Sequence, residues 1–340
     1  MNITFSIIIV TWNGLHHLKK FLSSVAGSDY NNFEIIIADN ASEDGTVEWT
    51  KKHFPKCKTV TFDKNYGYAG GNNRAVKYAN GDVLIFLNND VEVDKYWLQH
   101  LSDSFNNEKA DIVQPKIRDF RDKEFFEYAG ACGGFIDWLG YPFCRGRVFN
   151  QIEKDESQYD EPTEIFWASG AALAIKKELF ISSGGFDDDF EFHMEEIDLC
   201  WRCHKQEAKI IAEPKSVIYH LGGGSLDKSD PRKTFYNYRN SLLMLTKNLD
   251  SYLLPKLFFR LVLDGVSGAR SLLSGKPMET VAIIKSHFSF YALFPEALQK
   301  RKILRQKAMQ KTPDHLVYQK LVFIRYFLFG KKTFKELMGK

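Results

Sequence analysis

Phe5-Ser-Ile-Ile-Ile-Val10, followed at once by Thr11-Trp-Asn-Gly14, decides the fold. The β-branched run does not alternate with polar residues, so it reads as a strand buried on both faces. Its carboxyl end hands Thr11 and Asn13 to a loop. His16–Val25 then sets Leu18, Phe21, Leu22 and Val25 at helical spacing. The unit repeats along the chain. Glu34–Ala38 is a second buried strand ending at Asp39-Asn40, with a helix through His53. Thr59–Phe62 is a third, with a helix over Gly70–Ala79. Val83–Leu87 is a fourth, ending at Asn88-Asn89-Asp90. Strands alternating with helices predict an α/β fold built on a mostly parallel sheet with helices on both faces. Ligands of such sheets lie beyond the carboxyl ends of the strands. Thr11 and Asn13, Asp39, Asn65 and Asp90 therefore converge on one rim, where a nucleotide is expected.

The pattern loosens after residue 110. Asp111–Glu161 reads as hairpins and a mobile loop, and order returns with a strand-like run at Phe166–Ile175. A short helix follows at Lys177–Ser182, and Met194–Gln206 is a helix with acids in its first turn. Beyond Pro231 the chain turns aromatic and basic, with helical patterns over Tyr236–Leu249, Leu253–Leu273 and Met278–Leu304. We expect one domain over 1–234, in two parts at about 1–110 and about 111–234. A helical region over 235–340 follows.

Net charge over the 340 residues is only +3, but from Phe235 onward 19 Lys/Arg face 6 Asp/Glu, leaving 27 against 37 in the remainder. A split of that size predicts attraction of the basic part to an anionic partner. Nucleic acid is not expected, because no recognised nucleic-acid motif accompanies the charge. The five cysteines lack framework or zinc-site spacing. The Cys200–Cys203 pair has no second pair, so reduced thiols and a cytoplasmic compartment are expected. No window approaches the roughly 18 consecutive apolar residues of a membrane span.

Five groups carry candidate chemistry. Asp90, at a strand end, can reach a divalent ion held by a diphosphate, since Mg²⁺ and Mn²⁺ prefer oxygen ligands. Asn88-Asn-Asp90 is equally a good turn. The glycines of Asn65-Tyr-Gly-Tyr-Ala-Gly-Gly-Asn-Asn73 let backbone approach a ligand and open a helix toward an anion, or simply make a tight loop. Asp39 can accept the imide N–H of a pyrimidine, or cap a helix. Glu195-Glu196-Ile-Asp198 offers a base for a hydroxyl nucleophile, adjacent carboxylates raising one another's pKa, or an acid-rich first turn. His220, leaving a strand into Leu-Gly-Gly-Gly-Ser225, can meet a metal or a diphosphate, or be structural.

Taken in order, Val10-Thr-Trp-Asn-Gly14, Ala38-Asp-Asn-Ala-Ser42, Asn65…Asn72, Asn88-Asn-Asp90, Trp167…Gly170-Ala171, Gly184-Gly-Phe186, Glu195-Glu-Ile-Asp198 and His220…Ser225 resemble the family 2 glycosyltransferases. The rhamnosyltransferase-like and galactofuranosyltransferase-like branch is the nearest match, over about residues 4–245. The resemblance implies a GT-A fold, a nucleotide-sugar donor linked to dTDP or UDP, Mn²⁺ or Mg²⁺, and inversion. It places Thr11, Asn13 and Asp39 on the base and ribose. It places Asn65, Gly71, Asn72, Asn88 and Asn89 along the donor. Asn stands where many relatives have the first Asp of a DxD motif, which leaves Asp90 and His220 as the metal ligands. Glu196 is the implied base. Glu195 and Asp198 bind or orient the acceptor, with the choice between Glu195 and Glu196 open. Trp167 offers a flat face to a sugar ring, and Gly170-Ala171 a close backbone approach.

The acceptor implied is a glycan or lipid-linked glycan. Phe and Leu beside Lys and Arg in Leu253–Leu263 and Lys320–Phe329 suit in-plane helices on an anionic membrane, making the enzyme peripheral on the inner face. The same helices suit packing on the catalytic domain or on a second subunit. A sugar nucleotidyltransferase would need a glycine-rich basic loop after the first strand, which Thr-Trp-Asn-Gly is not. A non-catalytic nucleotide-sugar-binding module would not need Asp90, Glu196 and His220.

Overall fold

The computed structural model describes residues 3–222 and 230–339, so the Gly223-Gly-Ser225 end of the histidine motif lies outside the described residues. The strands are β1 (Phe5–Thr11), β2 (Phe33–Asp39), β3 (Lys58–Thr61), β4 (Val83–Leu87), β5 (Val91–Val93), β6 (Ile112–Asp119) and β7 (Gly134–Asp137). They continue with β8 (Pro142–Cys144), β9 (Arg147–Val148), β10 (Gln151–Ile152), β11 (Thr163–Glu164), β12 (Ala172–Lys176), β13 (Ile210–His220) and β14 (Val317–Tyr318). The helices are α1 (Leu15–Ala26), α2 (Thr46–His53), α3 (Gly67–Ala75), α4 (Trp97–Asn107), α5 (Lys177–Ser182) and α6 (Glu195–His204). The last five are α7 (Pro231–Asn248), α8 (Leu253–Leu273), α9 (Pro277–Lys307), α10 (Val322–Phe327) and α11 (Phe334–Met338).

Nine strands form the main sheet in the order β11-β13-β6-β12-β4-β1-β2-β3, with β5 on the edge of β13. The β4-β1-β2-β3 half is parallel, as the sequence predicts. The other half is mixed rather than parallel, because β12 runs antiparallel to both β4 and β6. Side chains of β1 enter both cores, Ile8 on one face and Phe5, Ile7 and Ile9 on the other. Each such buried side chain contributes about 1.5–3 kcal/mol of transfer free energy.

The hairpins expected within 111–161 are present, because β7–β8, β8–β9 and β9–β10 pair antiparallel, but two features of the segment differ. Ile112–Asp119 is a full strand paired in parallel with β13. The charged stretch after Gln151 is pinned rather than loose, because Asp155 is buried against Lys116 at 2.9 Å and against Arg118. Alternation is hidden in β6 because it is a central strand whose polar side chains, Gln114 and Lys116, find partners inside.

The end of the chain returns to the sheets. β14 pairs in parallel with β7 in a five-stranded second sheet, and Phe334 of α11 stacks 5.0 Å from Phe135. The Lys320–Phe329 run expected as one in-plane helix is helical only over Val322–Phe327. No described helix is long and apolar enough to cross a membrane. All five cysteines are free thiols.

Candidate active site

β1 and β2 deliver their ends side by side, with Thr11 opposite Asp39. Asp39 is fully buried. Its Oδ2 accepts the Ser42 N–H at 3.1 Å, while Oδ1 has no partner. Asn13 adopts a left-handed φ of 49°, and its Oδ1 accepts the Glu43 N–H at 2.8 Å, closing the first loop onto the second. Asn89, from the end of β4, donates to Thr11 Oγ1 at 2.9 Å. The strand ends of the parallel half therefore form one hydrogen-bonded rim.

Asp90 and His220 meet across the β5–β13 edge, His220 Nε2 lying 3.1 Å from Asp90 Oδ1. The Asn88 amide is 3.3 Å from the same nitrogen. On the far side, His220 Nδ1 faces Glu127 Oε2 at 3.4 Å, a charge contact without hydrogen-bond alignment. Burial alone would lower the imidazole pKa. The hydrogen bond and charge of Asp90, then the nearby Glu127 carboxylate, raise it to about 10. Burial likewise works to raise Asp90, but His220 holds its carboxyl below the usual range. Glu127 escaped the sequence reading because it sits in an irregular segment with no periodicity to mark it. His17, in the first turn of α1, also lies within the field of Asp90.

The catalytic candidates stand at the start of α6. His193 and Met194 precede it with φ of 65° and 73°, a left-handed turn that non-glycine residues rarely adopt. Asn240 of α7 fixes that turn by donating to the carbonyls of Phe192 at 2.7 Å and His193 at 2.9 Å. Glu195 and Glu196 each leave one carboxylate oxygen buried without a partner. Burial raises Glu196 to about 7, although backbone N–H groups, that of Gly170 among them, pull the other way. Burial, and then the charge of Glu196, pushes Glu195 higher still. Gly170 ties this helix start to the rim. Its carbonyl accepts the Tyr68 hydroxyl at 2.7 Å, and the next carbonyl, of Ala171, accepts the Asn88 N–H at 3.0 Å. Strand pairing, hydrogen bonds and chain neighbours thus link Asp39, Thr11, Asn89, Asn88 and Asp90–His220 to Gly170 and Glu196.

Several expected contacts are corrected. Asp198 is fully buried and cannot face an acceptor, because its carboxylate receives Arg202 at 2.9 Å, Lys247 at 2.9 Å and Asn248 at 2.7 Å. Trp167 offers no open ring face. It is 3% exposed, lies against Gly134, and donates its indole N–H to the Phe135 carbonyl at 3.0 Å. Gly71 serves packing rather than a ligand, since a Cβ there would come within 2.9 Å of Val10 Cγ1. Asn72 is not overturned: it is buried and donates to the Tyr68 carbonyl at 3.0 Å, while its Oδ1 has no partner. Asn65 is exposed and caps the Gly67 N–H at 2.8 Å, shaping the loop.

Residues 6–180 match the sequence profile of glycosyl transferase family 2. The chain is 27% identical over 63% of its length to the "O-antigen biosynthesis protein RfbC" of Myxococcus xanthus, of which it spans only 17%. It is 25% identical over 70% of its length to the "N-acetylglucosaminyl-diphospho-decaprenol L-rhamnosyltransferase" of Mycobacterium tuberculosis, spanning 83% of that protein. Among solved structures, S. aureus TarS 1–349 in complex with UDP-GlcNAc superposes with a TM-score of 0.55 at 16% identity, over 90% of this chain and 92% of that one. The mannosyltransferase PcManGT from Pyrobaculum calidifontis, in complex with GDP-Man and Mn²⁺, gives 0.54 at 15% identity, over 90% and 86%. The chain belongs to glycosyl transferase family 2 and is a glycosyltransferase of the GT-A fold.

Proposed function

We propose that this glycosyltransferase moves a sugar from a dTDP- or UDP-linked donor to a hydroxyl of a glycan or lipid-linked glycan, with inversion, in cell-surface polysaccharide synthesis. Glu196 is the base. One observation carries the reading: the Glu196 carboxylate, with a buried unpartnered oxygen and a pKa of about 7, is tied through Gly170 to the rim that ends in Asp90 and His220. Near-neutral pKa suits a group that must take a proton in the transition state at working pH.

Asp39 Oδ1, buried and without a partner, is the acceptor that a pyrimidine imide N–H would satisfy, and Thr11, Asn13 and Asn89 frame the ribose and diphosphate. Glu195 orients the acceptor beside Glu196. Asp90 and His220 would hold Mn²⁺ or Mg²⁺. They fit in donor type, a carboxylate oxygen and an imidazole nitrogen 3.1 Å apart, provided the ion takes the place of the proton between them. Among the described residues no third His, Cys, Asp or Glu joins them, which leaves the remaining positions to phosphate oxygens and water. When bound, the ion offsets charge on the departing nucleoside diphosphate. The name of the Mycobacterium tuberculosis relative, an L-rhamnosyltransferase acting on a decaprenol-linked acceptor, favours a rhamnose-type sugar and a lipid-linked acceptor.

A sugar-transfer assay with Mn²⁺ tests the reading, with product stereochemistry read by NMR. Glu196→Gln and Asp90→Ala should each abolish transfer while keeping a native melting profile, and the wild type should invert the anomeric centre. Near-normal turnover in either variant, or a product of retained configuration, removes the assignment.

A further inference from the structure

The surface of the molecule is divided as sharply as its charge. Among the described residues, the part before Tyr252 exposes five large apolar side chains, whereas twenty are exposed from Tyr252 onward. Globular monomers scatter such residues singly, and a concentration of them marks an interaction surface. Most lie on α8 and α9, which form an antiparallel hairpin. Its register is fixed by His287 against Asp264 at 3.2 Å, Thr280 to the Gly268 carbonyl at 2.8 Å, and Ser271 to Glu279 at 2.9 Å.

The hairpin buries one side and presents the other. On α8, Lys256, Leu257, Arg260, Asp264 and Gly268 face inward. Leu254, Phe258, Val262 and Val266, four residues apart, form an exposed stripe on the same helix. The hairpin tip carries Leu272, Leu273 at 89% exposure and Met278, flanked by exposed Arg270 and Lys276. Arg270 also lies over the Phe327 ring at 5.3 Å, which brings the exposed Phe327-Leu328-Phe329 segment to the same end.

Charge identifies the occupant. Between residues 252 and 339, ten exposed Lys/Arg stand against three exposed Asp/Glu. The core of a protein–protein interface is depleted in lysine. Apolar side chains interleaved with cations are instead what an in-plane membrane element needs, hydrocarbon taking the apolar groups and lipid phosphates the cations. We propose that the outer face of the α8–α9 hairpin and its tip lie in the plane of an anionic lipid surface. The inference rests on the reading that the acceptor is lipid-linked, and it adds how that acceptor is met. Lys300 of α9 bonds Asp187 at 2.8 Å and Asp189 at 2.6 Å, and Lys247 of α7 bonds Asp187 and Asp198. Helix α9 of the hairpin is therefore ion-paired to the segment that leads into Glu195 and Glu196, and α7 braces the same segment, so seating the hairpin sets the height of the active site above the lipid.

Flotation of the full chain with vesicles of phosphatidylglycerol and phosphatidylcholine, against pure phosphatidylcholine, tests this at low salt. Binding to the anionic vesicles is expected, falling at least tenfold in the Phe258→Asp/Leu273→Asp double variant. Both positions are exposed, so melting temperature should hold. Donor hydrolysis with Mn²⁺ in vesicle-free solution, which does not need the hairpin, should be unchanged in that variant. No vesicle binding by the wild type, or undiminished binding by the variant, overturns the proposal. So does a wild-type dimer in solution that the same substitutions dissociate, because a second copy then covers the face. Absence of donor turnover in the wild type would instead defeat the proposed sugar transfer and leave the vesicle result standing.

Discussion

The rim of strand ends, proposed to hold the donor, and the start of α6, proposed to meet the acceptor, are built differently. The rim consists of strand ends. Thr11, Asp39 and Asn88-Asn-Asp90 each follow a run of buried β-branched or aromatic residues, and parallel pairing alone brings them together. The start of α6 is held by long-range contacts. Asn240 holds the turn before α6 and Gly170 N–H bonds Glu196, and the rim borrows one contact of this kind, Glu127 reaching His220 from a segment without regular pattern. Strand periodicity specifies the first kind of site locally, whereas the second depends on partners that sequence spacing does not encode.

Glu196 and Asp198 make the contrast within one helix turn. Both are acids near the start of α6, but Glu196 keeps an unpartnered oxygen and Asp198 is saturated by Arg202, Lys247 and Asn248. The largest effect on stability is expected from Asp198→Ala. Removing one member of a buried ion-paired group costs about 3–5 kcal/mol. Denaturant unfolding should show that loss, while acceptor KM in the folded fraction stays near wild type. A changed acceptor KM with intact stability would return Asp198 to the acceptor site.

Glu127→Gln should have a smaller effect. It removes the charge that faces the far nitrogen of His220 and, as for other groups that orient a metal-ligating histidine, should weaken Mn²⁺ binding about 10–100-fold, measurable by titration calorimetry. Unaltered affinity would show that Glu127 only packs. The smallest effect belongs to Trp167→Phe. It removes one hydrogen bond to the Phe135 carbonyl, at a cost of about 0.5–1.5 kcal/mol, and should leave acceptor KM unchanged. A raised KM would show that the indole does meet a sugar.

The sequence was legible where burial on both faces left no ambiguity, as in β1, β2 and β4. It was also legible in α8, whose bounds match the helical pattern. It misled where function-like residues proved to be packing. Trp167 and Gly71 sit in motifs that resemble ligand contacts, yet their side-chain space is filled by Gly134, Val10 and Asn40. It was silent on β6, whose polar side chains are satisfied internally, and on the return of β14 and α11 to the second sheet, which only tertiary pairing reveals.

The central claim is that Glu196, poised by burial, is the base of the transfer. Its pKa of about 7 lies above that of an ordinary carboxylic acid, so the base form is lost as pH falls through that value. The pH dependence of kcat/KM with Mn²⁺ measures this directly. kcat/KM should rise with pH along a limb that bends near 7 and is absent from the residual activity of Glu196→Gln. A limb near 4.5, or one near 7 that survives in Glu196→Gln, would contradict it.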